Sequence, residues 1–132
     1  MEIQKCPTCG HVKKKYQHSL TTGLVSTLCK FMRGDERLMF QAKHPILTCA
    51  MTYNQGSNFP KLRYFELVIK SSKSGYWILT QKGYDFVYGR TVCEKHVITS
   101  KGVVESVSAE KLHISQLKGL PIEFQKEFNI HA

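Results

Sequence analysis

The chain has 132 residues, of which 42% are hydrophobic and 22% charged, and this composition predicts one globular domain with at most a small appendage. Nineteen Lys and Arg residues against ten Asp and Glu residues leave a net charge of +9, which favours a polyanionic partner, most commonly nucleic acid. No apolar run reaches the roughly 20 residues of a membrane helix, and MEIQKCP at the start has no apolar signal region, so we expect a cytoplasmic protein without a membrane partner.

Residues 1–18 are predicted to form a basic lead-in that carries a cysteine pair in the motif KCPTCGH. Cys6 and Cys9 are separated by two residues on a turn bounded by Pro and Gly, a spacing typical of half a zinc site. Three consecutive lysines follow: Lys13, Lys14 and Lys15. We expect them to be solvated or to contact nucleic-acid phosphates without sequence preference.

Residues 19–33 are predicted to form the first helix, with Ser19 as its N-cap and its end at Gly34. Apolar side chains recur along it at helical spacing: Leu20, Leu24, Leu28, Phe31 and Met32. Cys29 lies within this helix and is expected to be a packed core thiol.

The next segment, residues 36–53, is split by Pro45, which disfavours a continuous helix. Its second part is expected to be a short helix or strand that buries Cys49.

A second helix is predicted where NQGSNFPKLRYFELVI, residues 54–69, changes from polar to apolar. Ser57 or Asn58 is its predicted cap, which places Pro60 in the first turn, where the missing N–H is not needed. Its predicted core contacts are Leu62 and Phe65, and its predicted outward side chains are Lys61, Arg63 and Tyr64.

The remaining chain reads as two hairpins around a short helix. Residues 66–80 predict a β-hairpin with a basic tip, and Thr80 is expected to cap a helix within 80–90. Residues 92–108 predict the second hairpin, with its turn at KG, and an amphipathic segment ends the chain.

This order of helix, short element, helix, basic hairpin and helix predicts an α+β fold, a winged helix-turn-helix. We expect a zinc-knuckle lead-in at 1–18, the winged helix at 19–90, and a β-hairpin extension packed on it at 91–132. The residues expected to contact double-stranded DNA are Asn58, Lys61 and Arg63 of the second helix and Lys70 and Lys73 of the wing, with Asn54 and Gln55 at the helix entrance. Winged helices also serve as protein-interaction modules, so a protein partner is the alternative.

Three stretches, CPTCGHVKKKYQHSL, NFPKLRYFELV and GYWILTQKGYDFVYGR, together resemble a group of small phage and prophage proteins. In that group a CPxCG knuckle precedes a winged-helix-like domain, and the similarity covers roughly residues 5–105. The resemblance implies the fold, a winged-helix-like domain behind a zinc knuckle. With the basic charge and the order of the elements, we expect a DNA-binding regulator of phage type in the bacterial host cell. The alternative is an accessory protein that binds a host or defence protein. His18 matches the group's pattern, whereas Cys93 stands where the group commonly has Pro.

The cysteine pair needs two further ligands to complete a zinc site. CEKH supplies the only other cysteine-bearing pair at the same spacing, Cys93 and His96, and Cys3His is a closed, structural zinc set. The alternatives are a set that uses His18 with His11, or no metal and reduced thiols. An odd count of five cysteines without a signal region argues against a disulfide framework.

No catalytic motif is present in the sequence: there is no G-x-S-x-G, no phosphate-cradling Gly-rich loop and no H-E-x-x-H. A closed zinc site would not activate water. The sequence therefore predicts a binding protein rather than an enzyme.

Overall fold

A computed structural model describes residues 4–5, 12–13, 15–33, 37, 39–49 and 51–130. Within these ranges the chain is α+β, as predicted, with short helices and small antiparallel sheets. The helices are α1 (Thr22–Met32), α2 (Tyr53–Asn58), α3 (Gln81–Val87) and α4 (Ile122–Glu127), with 3-10 helices at Phe59–Phe65 and Ile114–Gln116. None of the helices in these ranges is long and apolar enough to span a membrane.

The first helix, α1, begins later than the sequence predicts. Thr21, not Ser19, is its N-cap, and the Thr21 hydroxyl accepts a hydrogen bond from the Leu24 amide at 3.2 Å. Ser19 instead ends a β-strand, so its prediction as a cap was wrong. The buried face of α1 includes Leu28 and Phe31, both fully inaccessible to solvent, and Cys29 is buried, as predicted.

The second helical segment runs without interruption from α2 into the 3-10 helix Phe59–Phe65. Its cap is Thr52, whose hydroxyl accepts from the Gln55 amide while the Gln55 side chain accepts from the Thr52 amide, a reciprocal capping box. The segment therefore begins earlier than predicted. Asn58 does occupy the N-cap position of the 3-10 helix, as predicted, but its side chain makes no capping hydrogen bond there. Pro60 does begin a helical segment, the 3-10 helix, where its missing N–H costs nothing.

The strands are β1 (Gln4–Lys5), β2 (Val12–Lys13), β3 (Lys15–Ser19), β4 (Val68–Lys70), β5 (Trp77–Leu79), β6 (Cys93–Glu94), β7 (His96–Ser100), β8 (Val103–Val107) and β9 (Lys111–Leu112). They form four antiparallel sheets in the described residues: β1–β2, β3–β7–β8, β4–β5 and β6–β9. Most strands are two to five residues long, so the helices supply much of the core.

The hairpin β4–β5 confirms the β-hairpin predicted within residues 66–80. It is extended by one further backbone pair, an antiparallel bridge between Trp77 of β5 and Lys43 from the segment between α1 and α2. Thr80 then caps α3 as predicted, since its hydroxyl accepts from the Gly83 amide at 3.0 Å. The bridge thus joins the segment between α1 and α2 to the hairpin through backbone hydrogen bonds. Cys49, expected to be buried in this region, is only half-buried.

The second hairpin is confirmed for β7 and β8, with Lys101 and Gly102 in its turn. Both turn residues have positive φ, 52° and 76°, which a tight hairpin requires and which glycine adopts without strain. The prediction that this hairpin starts at residue 92 was wrong, because Cys93 and Glu94 form a separate strand paired with β9.

The pairing of β3 with β7 was not anticipated from the sequence. Lys15 through Ser19 align antiparallel with Ser100 through His96, so the end of the predicted lead-in joins the sheet of the predicted extension. The core lies between this sheet, α1, the 3-10 helix and α3, and α4 closes it with the buried side chains of Phe124 and Phe128.

Candidate nucleic-acid interface

One side of the second helical segment is polar and exposed. Asn54, Asn58 and Lys61 lie four and three residues apart, a spacing that places them on one face, while Leu62 and Phe65 are fully buried on the other. The Asn58 side chain donates to the Asn54 carbonyl at 3.0 Å. Lys61 makes no ion pair with any described residue.

Arg63 does not share this face with Lys61. Two residues apart on a 3-10 helix, the side chains cannot point the same way. The Arg63 guanidinium lies over the Tyr64 ring at 5.1 Å, and a Cβ at Gly102 would be 3.6 Å from its Nη2. Arg63 therefore lies against the β7–β8 hairpin, and the structure does not bring the two predicted helix cations together.

The other predicted contact residues are more scattered. Lys70 is exposed at the end of β4, and the Lys73 ammonium lies over the Tyr76 ring at 4.3 Å in the hairpin turn. Lys15 is paired with Glu105 at 3.3 Å on the β3–β7–β8 sheet, which partly neutralises it. Lys13 belongs to β2, and Lys14 lies outside the described residues.

A cleft of about 560 Å³ with a mixed polar and apolar lining opens beside the exposed face of the second helical segment. β3 contributes Gln17, His18 and Ser19 to its lining, and the helical segment contributes Asn54, Asn58 and Lys61. The first turns of α1 close it between these two walls. None of the twelve described lining residues is acidic. Sequence reasoning missed the cleft because its walls come from elements far apart in the chain, although the polar spacing of 54, 58 and 61 was a usable signal.

His18 connects the cleft to the helix behind it. Its ring stacks on Tyr64 with centroids 5.0 Å apart and planes inclined by 28°, and its Nε2 lies 2.9 Å from the Thr99 hydroxyl oxygen. Burial and, second, the positive charge of Lys61 lower the pKa of His18 below its ordinary value of 6.5. The imidazole is consequently neutral at physiological pH and acts there as a polar, stacking side chain.

Of the four predicted zinc ligands, Cys93 and His96 are among the described residues. Cys6, Cys9 and His11 lie outside the described residues. Cys93 is fully buried, with its sulfur 3.8 Å from the Phe65 carbonyl, and burial raises the pKa of its thiol to about 12. His96 is half-buried on β7, with Nδ1 2.8 Å from the Ser19 hydroxyl oxygen. No group of three potential ligands occurs in the described part of the chain.

Comparisons with family models, with curated proteins and with solved structures each find no match to this chain. The resemblance to phage and prophage proteins therefore remains a prediction from the sequence.

Proposed function

We propose that the protein is a winged-helix DNA-binding regulator of phage type. The exposed face of Asn54, Asn58 and Lys61 is the observation that carries the proposal. It combines two amides with a cation that forms no ion pair among the described residues, and it lies beside a cleft whose described lining has no carboxylate.

The order of the elements supports this proposal. The chain runs from α1 through a segment that carries the isolated bridge of Lys43 into the second helical segment. The β4–β5 hairpin and α3 follow, which gives the order helix, short bridging segment, helix, hairpin and helix. The bridge from Lys43 to Trp77 fixes the hairpin against the helices. A wing held in this way can carry Lys70 and Lys73 to the phosphates that flank a helix in the major groove.

The side chains on the face have the chemistry that base and phosphate contacts need. Asparagine amides can bond adenine through two atoms at once, and a lysine ammonium can contact guanine or a phosphate oxygen. Arg63 is left out of this contact set, because it lies against the β7–β8 hairpin.

The test is titration of a fluorescent 20–30 base-pair random duplex at low and at physiological salt, at about 50 and 150 mM. We expect binding that weakens steeply with salt, and a salt slope that falls by about one unit in Lys61→Ala. Lys126→Ala removes an equal charge from an exposed position on α4 and is the matched control. Absence of binding at low salt, or equal loss in both variants, would overturn the proposal.

A second candidate, binding of a host or defence protein, is favoured by two exposed apolar side chains near the start of α2. Leu47 and Tyr53 are 77% and 80% exposed. Isolated exposed apolar residues are common, but exposed apolar side chains that form a contiguous patch often mark interaction surfaces. This candidate becomes the leading one if the duplex does not bind at low salt.

A further inference from the structure

The cleft beside α2 has the size of a ligand site. Its volume of about 560 Å³ falls within the range of roughly 300–1,000 Å³ that small-molecule sites occupy. It lies between three elements that the core holds in place: β3 through its pairing with β7, α1 through its buried face, and the second helical segment through Leu62 and Phe65. The cleft is therefore a preformed feature and does not depend on a single loop.

The positive charge of Lys61 favours an anionic ligand in the cleft. Lys61 is the one lysine or arginine in its described lining, and no carboxylate there opposes it. A lysine ammonium is a compact point charge with three donors, well suited to a phosphate oxygen. A ligand with one phosphate would place that phosphate at this single lysine.

The neutral polar groups of the cleft suit a base and a sugar. The Asn54 side chain makes no hydrogen bond to another described residue, so both its donor and its acceptor are available. The Thr21 hydroxyl accepts from the Leu24 amide and keeps its own proton to donate. His18 adds an aromatic surface, and aromatic side chains stack with bases of any sequence.

The spacing of these groups fits one nucleotide. Asn54 and Lys61 are separated by one turn of α-helix and one turn of 3-10 helix, or about 12 Å along the axis. We propose that the cleft binds a nucleoside monophosphate group, with the phosphate at Lys61 and the base hydrogen-bonded by Asn54. The group can come from a free mononucleotide or from an unpaired nucleotide of a nucleic-acid strand. The proposal shares Asn54 and Lys61 with the proposed duplex contact but does not require duplex binding.

The experiment uses the full chain and two kinds of probe. In one arm, AMP, GMP, CMP and UMP are each titrated into ¹⁵N-labelled protein and followed by amide shifts. In the other arm, a plain duplex is compared with the same duplex carrying a single unpaired nucleotide. We expect Asn54→Ala and Lys61→Ala each to weaken binding by about tenfold, and Lys126→Ala to leave it unchanged.

The two arms distinguish a free mononucleotide from an unpaired nucleotide in a strand. They also distinguish the cleft proposal from the proposal of duplex binding. Mononucleotide binding that depends on Asn54 supports a free ligand. A higher affinity for the bulged than for the plain duplex, with the difference between the two lost in Asn54→Ala, supports a nucleotide in a strand. If neither mononucleotides nor the unpaired nucleotide bind in an Asn54-dependent way, the cleft proposal is overturned even when the plain duplex binds. If mononucleotides bind and the plain duplex does not, only the winged-helix proposal fails. Far-ultraviolet circular dichroism of each variant confirms that it is folded.

Discussion

The backbones of Lys43 and Trp77 are hydrogen-bonded to each other in both directions, with each N–O distance 2.9 Å. The pairing also positions the Lys43 side chain, which is 9% exposed. Its ammonium donates to the Phe31 carbonyl at 2.9 Å and lies 5.2 Å from the centre of the Phe31 ring. A single residue thus ties the last turn of α1 to the strand β5.

We expect Lys43→Ala to lower the free energy of unfolding by about 2 kcal/mol, because it removes a buried hydrogen bond and leaves the Phe31 carbonyl without its closest donor. Lys126→Ala, which removes an exposed lysine, should change it by less than about 0.5 kcal/mol. Urea unfolding monitored by Trp77 fluorescence measures both. Equal effects of the two substitutions would show that the Lys43 contact adds no stability.

The Cys29 thiol predicts a loss of stability at alkaline pH. Burial and, second, the nearby charge of Glu127 raise the pKa of this thiol to about 12, against an ordinary value of 9.0. The native state keeps the proton where the unfolded state loses it, so the thiol's contribution is fully present below pH 9.0 and is lost as the pH rises toward 12.

Comparison with Cys29→Ala isolates this effect, since alanine does not titrate. The difference in unfolding free energy, wild type minus variant, should be constant below about pH 8 and should fall progressively as the pH rises above about 9. A difference that stays constant above about pH 9 would mean that Cys29 is not shielded from ionisation in the native protein.

The two halves of the predicted zinc site, Cys6 with Cys9 and Cys93 with His96, can be tested separately. We propose that Cys6 and Cys9 bind zinc, and we expect Cys6→Ser to lose it. Cys93→Ser should keep the metal, because that sulfur lies in the core against the Phe65 carbonyl, but it should unfold at lower urea concentration. Elemental analysis of the purified variants measures the zinc. Loss of zinc from Cys93→Ser would support Cys93 and His96 as the other two ligands. Absence of zinc from the wild-type protein would contradict the site altogether.

Among the surface carboxylates, Glu94 is expected to contribute most to the free energy of unfolding. It accepts from Lys82 at 2.8 Å and from Lys111 at 3.2 Å. Burial alone would raise the pKa of its carboxyl, but the hydrogen bonds from the two lysines outweigh this and hold the pKa at about 2. Two lysines therefore stabilise the charged form of one half-buried side chain.

We expect Glu94→Gln to lower the free energy of unfolding by about 1–2 kcal/mol, since two ammonium groups lose their counter-charge. Glu110→Gln is the control, because its carboxylate is 64% exposed and 3.5 Å from Lys95; its effect should stay below about 0.5 kcal/mol. Thermal or urea unfolding at neutral pH distinguishes them. A larger effect at Glu110 than at Glu94 would contradict this account.

Features encoded by nearby residues could be predicted from the sequence. The Thr80 cap, the turn at Lys101 and Gly102, and the first hairpin each depend on a few adjacent side chains, and each is present. The start of α1 was misplaced because Ser19 and Thr21 are both acceptable caps. Only the pairing of β3, which takes Ser19 into a strand, decides between them.

Features that need distant partners could not be predicted in the same way. β3 has no apolar alternation, because four of its five residues are exposed, and its partner strand is about 80 positions away. The cleft was missed for the same reason, since β3 forms one of its walls. The exposed face of Lys61 was predicted, but the separation of Arg63 from it depends on the 3-10 geometry of Phe59–Phe65.

The pairing of β3 with β7 also constrains the order in which the chain folds. Residues 15–19 can complete their hydrogen bonds only after residues 96–100 exist, so on the ribosome this strand must wait for most of the chain to be synthesised. Closing so long a loop raises the contact order and slows folding relative to the local hairpins. The wall of the cleft formed by His18 is therefore expected to assemble last, after the helices and both hairpins have formed.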